Sequence, residues 1–189
     1  MDRIQYVTLK SMVIGAGYKD EIDWAASIHE PVSPGDFALK ACRVILKGGM
    51  KEQIARRLWE EKIQPALING QNVWSVFHHP GKAAAMEYIW ANRRQLFEEY
   101  RQATDKLAKL AFLETLPWIG PTTRYHLARN LGMDVCKPDR WLTRIADEDG
   151  TTPEEMCRRL SEETGDRIGV VDVVLWRAAN LGLWRAEPG

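Results

Sequence analysis

Residues 116–146 read LPWIGPTTRYHLARNLGMDVCKPDRWLTRIA, and this stretch is the most informative part of the 189-residue chain. Pro117 and the pair Gly120-Pro121 separate two helix-forming segments, LAKLAFLETL before them and PTTRYHLARNLG after them. Pro121 suits the first turn of a helix, where its missing N–H loses no partner, and Gly132 is typical of a helix end. The stretch therefore predicts a helix, a tight hairpin and a second helix. The free N–H groups and the dipole at the start of that second helix favour an anion, although the turn alone also fits an ordinary αα-hairpin.

The second half of the stretch places a lone carboxylate, Asp139, directly behind Pro138 and at the head of another apolar helix pattern. Pro138 restricts the backbone just ahead of the carboxylate. An Asp at the start of a helix commonly caps the first turn, which stabilises the helix by about 1 kcal/mol. The pattern alone leaves open whether Asp139 is only a cap or also a functional group.

The rest of the chain shows helical spacing of apolar residues, and strand signals are nearly absent. Within residues 50–67, the spacing predicts that Ile54, Leu58, Ile63 and Leu67 share one face. Residues 82–113 are expected to form one long helix or two consecutive helices. The sequence therefore predicts an all-α protein of about ten short helices, and its further helical segments lie at about residues 34–47, 153–164 and 169–181.

The composition limits the classes of function. Apolar residues make up 45% of the chain, and 26 basic residues balance 26 acidic ones, so any contact with nucleic acid must come from a local patch. The sequence contains no apolar run of the roughly 18 residues needed to cross a bilayer, and its first residues lack the apolar core of a signal peptide. We therefore expect a cytoplasmic protein without a membrane partner, acting as a monomer.

The three cysteines, Cys42, Cys136 and Cys157, have no CxxC spacing. Each lies in an otherwise helical or apolar stretch, which predicts buried free thiols in a reducing compartment. The adjacent pair His78-His79 is expected to be a loop pair rather than a metal site, since no Cys, Asp or Glu cluster accompanies it.

The order of hairpin, apolar helix, short loop and helix-opening Asp resembles the helix-hairpin-helix DNA glycosylase superfamily. The mark of that superfamily is an LPGxGxxTA hairpin followed some twenty residues later by the Asp. The resemblance implies a two-lobed helical bundle in a single domain, residues 1–189, with one lobe at about 34–132 that holds the hairpin at 114–132. The other lobe combines residues 1–33 with 133–189. The matching residues are Leu116, Pro117, Ile119, Gly120, Thr123, Leu127, Ala128, Gly132 and Asp139.

The resemblance also implies roles for particular residues. Asp139 would face the sugar of a nucleotide rotated out of the helix, and Asp172 is a candidate second polar group in the same pocket. Backbone carbonyls of Glu114, Leu116 and Ile119 would hold a structural K⁺ or Na⁺, with no other cofactor expected. DNA is the implied partner, and the residues expected to contact it are Trp118, Ile119, Gly120, Thr122, Thr123, Lys137 and Arg140.

Two departures from the superfamily pattern modify this expectation. Lyase-competent members carry a Lys two residues beyond the second Gly of the hairpin, and Thr122 stands there. A glycosylase of this kind would be monofunctional, with water as the nucleophile. Trp118 replaces the first Gly of the hairpin, and its ring is expected either to contact DNA or to pack against Trp141. No four-cysteine pattern for an iron–sulfur cluster is present.

Two other functions remain open from the sequence. The framing KPDRWLTRIA and the late segment GDRIGVVDVVLWRAANLG resemble a branch of the superfamily found in phage systems that hypermodify thymine. This branch includes the helical domain of 5-hydroxymethyluridine DNA kinases, and it implies a transferase-like enzyme acting on bases derived from 5-hydroxymethyluracil. The only Gly-Lys pair, Gly81-Lys82, lacks the remaining P-loop residues, which excludes a P-loop kinase. The last alternative is a non-catalytic DNA-binding module that uses the hairpin alone.

Overall fold

A computed structural model describes residues 1–185, which form helices joined by short loops and contain no strand. The all-α prediction is therefore confirmed. None of the helices in this part of the chain is long and apolar enough to cross a membrane. The α-helices are α1 (Arg3–Val13), α2 (Lys19–Ser27), α3 (Pro34–Lys47), α4 (Glu52–Leu58), α5 (Gln64–Ile68), α6 (Pro80–Ala91), α7 (Arg93–Gln102), α8 (Lys106–Thr115), α9 (Thr123–Asn130), α10 (Arg140–Glu148), α11 (Pro153–Thr164) and α12 (Ile168–Asn180).

The contacts divide the chain into two compact units. Unit 1 combines Met1–His29 with the chain from Gly132 onward, and unit 2 is Glu30–Leu131. The resemblance described above implies lobe boundaries near residues 33 and 132. The chain therefore enters unit 2 once and returns to unit 1 once, immediately after the α8–α9 hairpin.

Unit 1 is built around α12, which packs against α1, α2, α10 and α11. The segment VVDVVL in α12 is buried on every side, which explains why its apolar residues are continuous rather than periodic. Thr152 caps α11 with Glu155 as its partner in a capping box, and Gly165 ends that helix in a left-handed conformation. The helix α10, which begins after Asp139, packs against α11 and α12 and is therefore held by the core of unit 1.

Unit 2 is built around α3, which packs against α6, α7 and α9. Ser33 caps α3 by accepting a hydrogen bond from the Asp36 amide at 3.1 Å, and Pro34 occupies the first turn. Phe37 lies in the centre of this core, with its ring centroid 5.4 Å from that of Tyr100. The hairpin formed by α8 and α9 is held against this core through α3 and α9.

Two helix predictions were wrong. Ile54 is 56% exposed, while Ala55 and Trp59 are buried in its place. The reason is the π-helical turn Trp59–Ile63, which changes the angular spacing between α4 and α5. Residues 82–113 form parts of three helices, because the backbone leaves the helical region at Asn92 and Asp105 caps a new helix.

Candidate functional site

The hairpin between α8 and α9 is closed by backbone hydrogen bonds and by buried apolar side chains. The Ile119 amide donates to the Leu116 carbonyl at 3.1 Å, and the Arg124 amide donates to the Gly120 carbonyl at 2.9 Å. Leu116 and Ile119 are buried, whereas Trp118 is exposed. The turn is therefore anchored by its apolar residues and presents its remaining residues to solvent.

The start of α9 presents amide N–H groups. Among residues 1–185, no hydrogen-bond acceptor is found for the amides of Gly120, Thr122 and Thr123. The Thr122 side chain does not cap the helix, although it stands at the N-cap position. These three amides lie at the positive end of the helix dipole, so this turn can bind an anion such as a phosphate.

Trp118 has an unusual backbone conformation and specific ring contacts. Its φ of 66° lies in the left-handed region, which residues with a side chain seldom adopt. Its indole lies directly over Gly81, where a Cβ would come within 2.6 Å of the indole Cζ2. The His79 ring meets the indole edge-on at 5.2 Å, and Lys82 Nζ lies 5.9 Å from the ring centroid. The indole therefore packs against the first turn of α6.

The carbonyl oxygens predicted to hold a monovalent cation have the chemistry that such a cation needs. The Leu116 carbonyl accepts one hydrogen bond, from Ile119, and retains a second lone pair. The Glu114 carboxylate is paired with Arg124, so it neutralises that guanidinium. No group of three or more His, Cys, Asp or Glu residues that could hold a metal occurs within residues 1–185. A K⁺ or Na⁺ on the carbonyls of Glu114, Leu116 and Ile119 stays a prediction.

Asp139 is the N-cap of α10, and its two carboxylate oxygens have different partners. Oδ1 accepts hydrogen bonds from the Trp141 amide at 2.9 Å and the Leu142 amide at 3.3 Å. Oδ2 lies 3.7 Å from Lys137 Nζ, and the side chain is 15% exposed. The cap uses one oxygen only, so the carboxylate is fixed in orientation while Oδ2 takes no part in the cap.

Asp172 supports the loop that precedes Asp139. Its side chain is buried in the middle of α12, with the whole residue 1% exposed. Oδ2 accepts a hydrogen bond from the Lys137 amide at 2.6 Å. The sequence suggests Asp172 as a candidate pocket residue, and in the structure one of its oxygens binds the backbone two residues ahead of Asp139.

The cysteines are free and buried, as the sequence predicts. A hydrogen bond with Cys136 and burial raise the pKa of the Cys157 thiol, and the nearby charge of Asp172 adds to the effect. Burial also raises the pKa of the Cys42 thiol. Thiols that stay protonated are poor nucleophiles, so Cys42 and Cys157 are packing groups.

The predicted site residues fall into two groups, one in each unit. Unit 1 brings together Lys137, Asp139 and Asp172, and Arg140 is exposed beside them with its guanidinium 5.1 Å from the Trp141 ring. Unit 2 contains the hairpin residues predicted to contact DNA, together with Gly81 and Tyr88, which the sequence does not predict to belong to this site. In the sequence, the pair Pro80-Gly81 indicates only that a helix begins there. It does not indicate which aromatic ring packs against Gly81.

Comparison with known proteins identifies the fold. No family model matches the chain, and no curated protein matches its sequence. The structure of Methanocaldococcus jannaschii 8-oxoguanine glycosylase/lyase with 15mer DNA containing 8-oxoguanine is similar, with a TM-score of 0.66 and 18% identity over 93% of this chain and 97% of that chain. A second structure of the 8-oxoguanine DNA glycosylase from that organism has a TM-score of 0.65 and 18% identity, over 95% of this chain and 94% of that one.

The 8-oxoguanine DNA glycosylase of Thermotoga maritima is similar too, with a TM-score of 0.65 and 15% identity over 90% of this chain and 93% of that chain. These likenesses extend over nearly the whole length of every chain compared. They confirm the glycosylase-like fold that the hairpin and its following Asp predicted. The chain therefore shares its fold with the 8-oxoguanine DNA glycosylases.

Proposed function

We propose that this protein is a monofunctional DNA glycosylase that hydrolyses the N-glycosidic bond of a modified or damaged nucleotide. The observation that carries the proposal is the geometry of Asp139, on a chain with a DNA glycosylase fold. One oxygen of this carboxylate is fixed by two amides, and the other takes no part in the cap. A carboxylate held in this way can stabilise the positive charge that develops on a sugar as its glycosidic bond breaks.

The reaction would proceed on a base that has left the helical stack, since its sugar carbon is otherwise inaccessible. As the C1′–N bond breaks, the electron pair leaves with the base and positive charge develops on the sugar. The Asp139 carboxylate stabilises that charge and orients a water molecule. The water oxygen forms the new bond to C1′, one of its protons is released, and the base leaves after gaining a proton.

Water is the proposed nucleophile because Thr122 occupies the position of the lysine in lyase-competent members of the superfamily. A hydroxyl cannot form the imine that an amine forms with the sugar aldehyde. This proposal predicts an abasic product with an intact strand.

The proposed contact with DNA uses the hairpin. The amides of Gly120, Thr122 and Thr123 would bind a backbone phosphate, and Lys137 and Arg140 would add charged contacts. A K⁺ or Na⁺ on the carbonyls of Glu114, Leu116 and Ile119 would add positive charge to the same turn. Because the net charge of the chain is zero, binding would depend on these local contacts and would weaken steeply with salt.

The test compares wild type with Asp139→Asn on duplexes that carry 8-oxoguanine or one of a series of modified pyrimidines. Asn caps helices as well as Asp does, so the variant keeps α10 while losing the negative charge. Release of free base by the wild type, lost in the variant at equal DNA binding, supports the proposal. Binding without release, with a changed base mass when an activated base is supplied, indicates a transferase of thymine hypermodification instead. Binding that the substitution does not change, with no chemistry, indicates a DNA-binding module.

A further inference from the structure

A shallow groove lies beside the hairpin on unit 2. It has a volume of about 410 Å³ and lies between α6 and the hairpin turn. Gly81, Ala84, Ala85 and Tyr88 follow the i, i+3, i+4, i+7 spacing of one helix face, so α6 supplies small residues followed by one large ring. The residues that line the groove are Gly81, Ala84, Ala85, Tyr88, Thr115, Pro117 and Trp118.

Two aromatic rings border this groove and are available to solvent. Trp118 and Tyr88 are each 52% exposed. Half-exposed rings contribute less to the core than buried ones, so packing of the core does not account for their presence here. A groove lined by two flat rings and several small residues can accept another flat ring.

The indole of Trp118 is held in place from below. Gly81 allows it to approach because any Cβ there would meet Cζ2 at 2.6 Å. His79 contacts its edge, and the Lys82 ammonium lies 5.9 Å from its centroid. Lys82 Nζ is itself fixed by the carbonyls of Leu46, at 3.2 Å, and Gly48, at 2.5 Å. The exposed ring is therefore preorganised, which lowers the entropy lost when it binds a ligand.

The turn around the groove is suited to a negatively charged ligand. The amides of Gly120, Thr122 and Thr123 follow Trp118 within the same turn, at the positive end of α9. The carboxylate nearest to them along the chain, that of Glu114, is neutralised by Arg124. A ligand that carries both a flat ring and a phosphate would satisfy the rings and the amides together.

We propose that this groove is a stacking site for one unpaired base of the DNA strand whose phosphate the hairpin amides hold. The inference rests on the proposed function for the identity of the ligand as DNA. Every base has an aromatic face, so stacking on Trp118 and Tyr88 would be tolerant of sequence.

The experiment measures binding of a short oligothymidine and of an abasic analogue with the same length and the same phosphates. The two ligands differ only in their bases, so contacts to phosphate cancel. We expect the wild type to bind oligothymidine at least about fivefold more tightly, the lower end of what one stacked base contributes. Trp118→Gly should lose most of this preference, because only the Tyr88 ring then remains for stacking. It should fold normally, because glycine readily adopts a φ of 66°.

A second pair of variants tests the ring's position while keeping the ring. Gly81→Ala should displace the indole and reduce the preference for oligothymidine. Gly35→Ala is the matched control, because Gly35 follows Pro34 at the start of α3 as Gly81 follows Pro80 in α6. A Cβ on Gly35 would meet only Ser33 Oγ, at 3.8 Å. Trp24→Ala, which removes an exposed Trp from unit 1, should also leave the preference unchanged.

The outcomes separate the two proposals. Binding of DNA without a preference for bases, or a preference that Trp118→Gly does not reduce, overturns the stacking site and leaves the proposed glycosylase standing. Absence of binding to any DNA, duplexes with modified bases included, overturns both. A base preference that Trp118→Gly reduces, in a protein that releases no base, supports the stacking site and counts against the glycosylase.

Discussion

The buried carboxylate of Asp172 accepts a hydrogen bond from the Lys137 amide at 2.6 Å. Lys137 lies two residues before Asp139, and its own carbonyl accepts the Asp139 amide at 2.7 Å. The long helix α12 thus fixes the backbone of the short loop from which the candidate catalytic group projects. In the proposed enzyme Asp172 is a positioning residue, because it acts on Asp139 through the loop.

Substitution of Asp172 should affect both stability and chemistry. Asp172→Ala leaves the Lys137 amide without its acceptor, so we expect the free energy of unfolding to fall by about 1–3 kcal/mol. Asp172→Asn retains a carbonyl acceptor and should lose less. Base release at saturating DNA should fall in the order wild type, Asn, Ala, while DNA affinity changes little. Urea unfolding and single-turnover assays measure the two effects, and an Ala variant with undiminished release would contradict the positioning role.

The capping and chemical roles of Asp139 can be separated. Asp139→Ala removes the acceptor for the Trp141 and Leu142 amides, so we expect a loss of about 1 kcal/mol in unfolding free energy. Asp139→Asn should lie within a few tenths of a kcal/mol of wild type. If Asp139 is also the catalytic carboxylate, both variants should lose base release despite their different stabilities. If base release falls in the destabilised Asp139→Ala variant but not in Asp139→Asn, the residue acts as a helix cap alone.

The absence of a lysine at position 122 predicts that the wild type neither cleaves an abasic strand nor forms a covalent adduct with it when borohydride is added. Thr122→Lys supplies an amine at the exposed start of α9 and should produce a trapped adduct. Thr122→Arg is the control, since it adds charge without a nucleophilic amine. An adduct with the wild type would contradict the monofunctional proposal. Lys137, whose Nζ lies 3.7 Å from Asp139 Oδ2, would then be the residue to replace.

Lys82 is expected to stabilise unit 2, because its buried ammonium joins the end of α3 to α6. Lys82→Met keeps the apolar stem but leaves the Leu46 and Gly48 carbonyls without this donor, so we expect a loss of about 1–3 kcal/mol. Lys62→Met, at an exposed position, should have little effect. Equilibrium unfolding measures the difference, and equal stability of the two variants would contradict the role of Lys82.

The stability conferred by Lys82 should also depend on pH. Burial lowers the pKa of its ammonium below the ordinary value of 10.5. Just below that ordinary value the unfolded chain therefore binds more protons than the folded protein, and stability rises with pH. The free energy of unfolding of the wild type should therefore increase relative to that of Lys82→Met as the pH rises through this alkaline range. A difference between the two proteins that shrinks there would contradict the assignment.

The sequence was sufficient for the features that depend on neighbouring residues. Pro117, Gly120 and Pro121 predict the hairpin, and the Pro-Asp pair predicts the start of α10, because turn and cap chemistry is local. The contacts that complete the site join distant segments. Gly81 and Trp118 come together through the packing of unit 2, and Asp172 reaches Lys137 through the packing of unit 1. No spacing rule predicts such pairs. The π-helical turn that exposes Ile54 was missed because the spacing rule assumes a regular α-helix.

The central claim is that the charge of Asp139 drives cleavage of a glycosidic bond, and single-turnover release of free base tests it most directly. Wild type and Asp139→Asn are compared at saturating DNA on duplexes that carry 8-oxoguanine or a modified pyrimidine. The account predicts release from at least one duplex by the wild type, slowed by about a hundredfold or more in the variant. Equal rates for the two proteins, or no release from any duplex by the wild type, would contradict it.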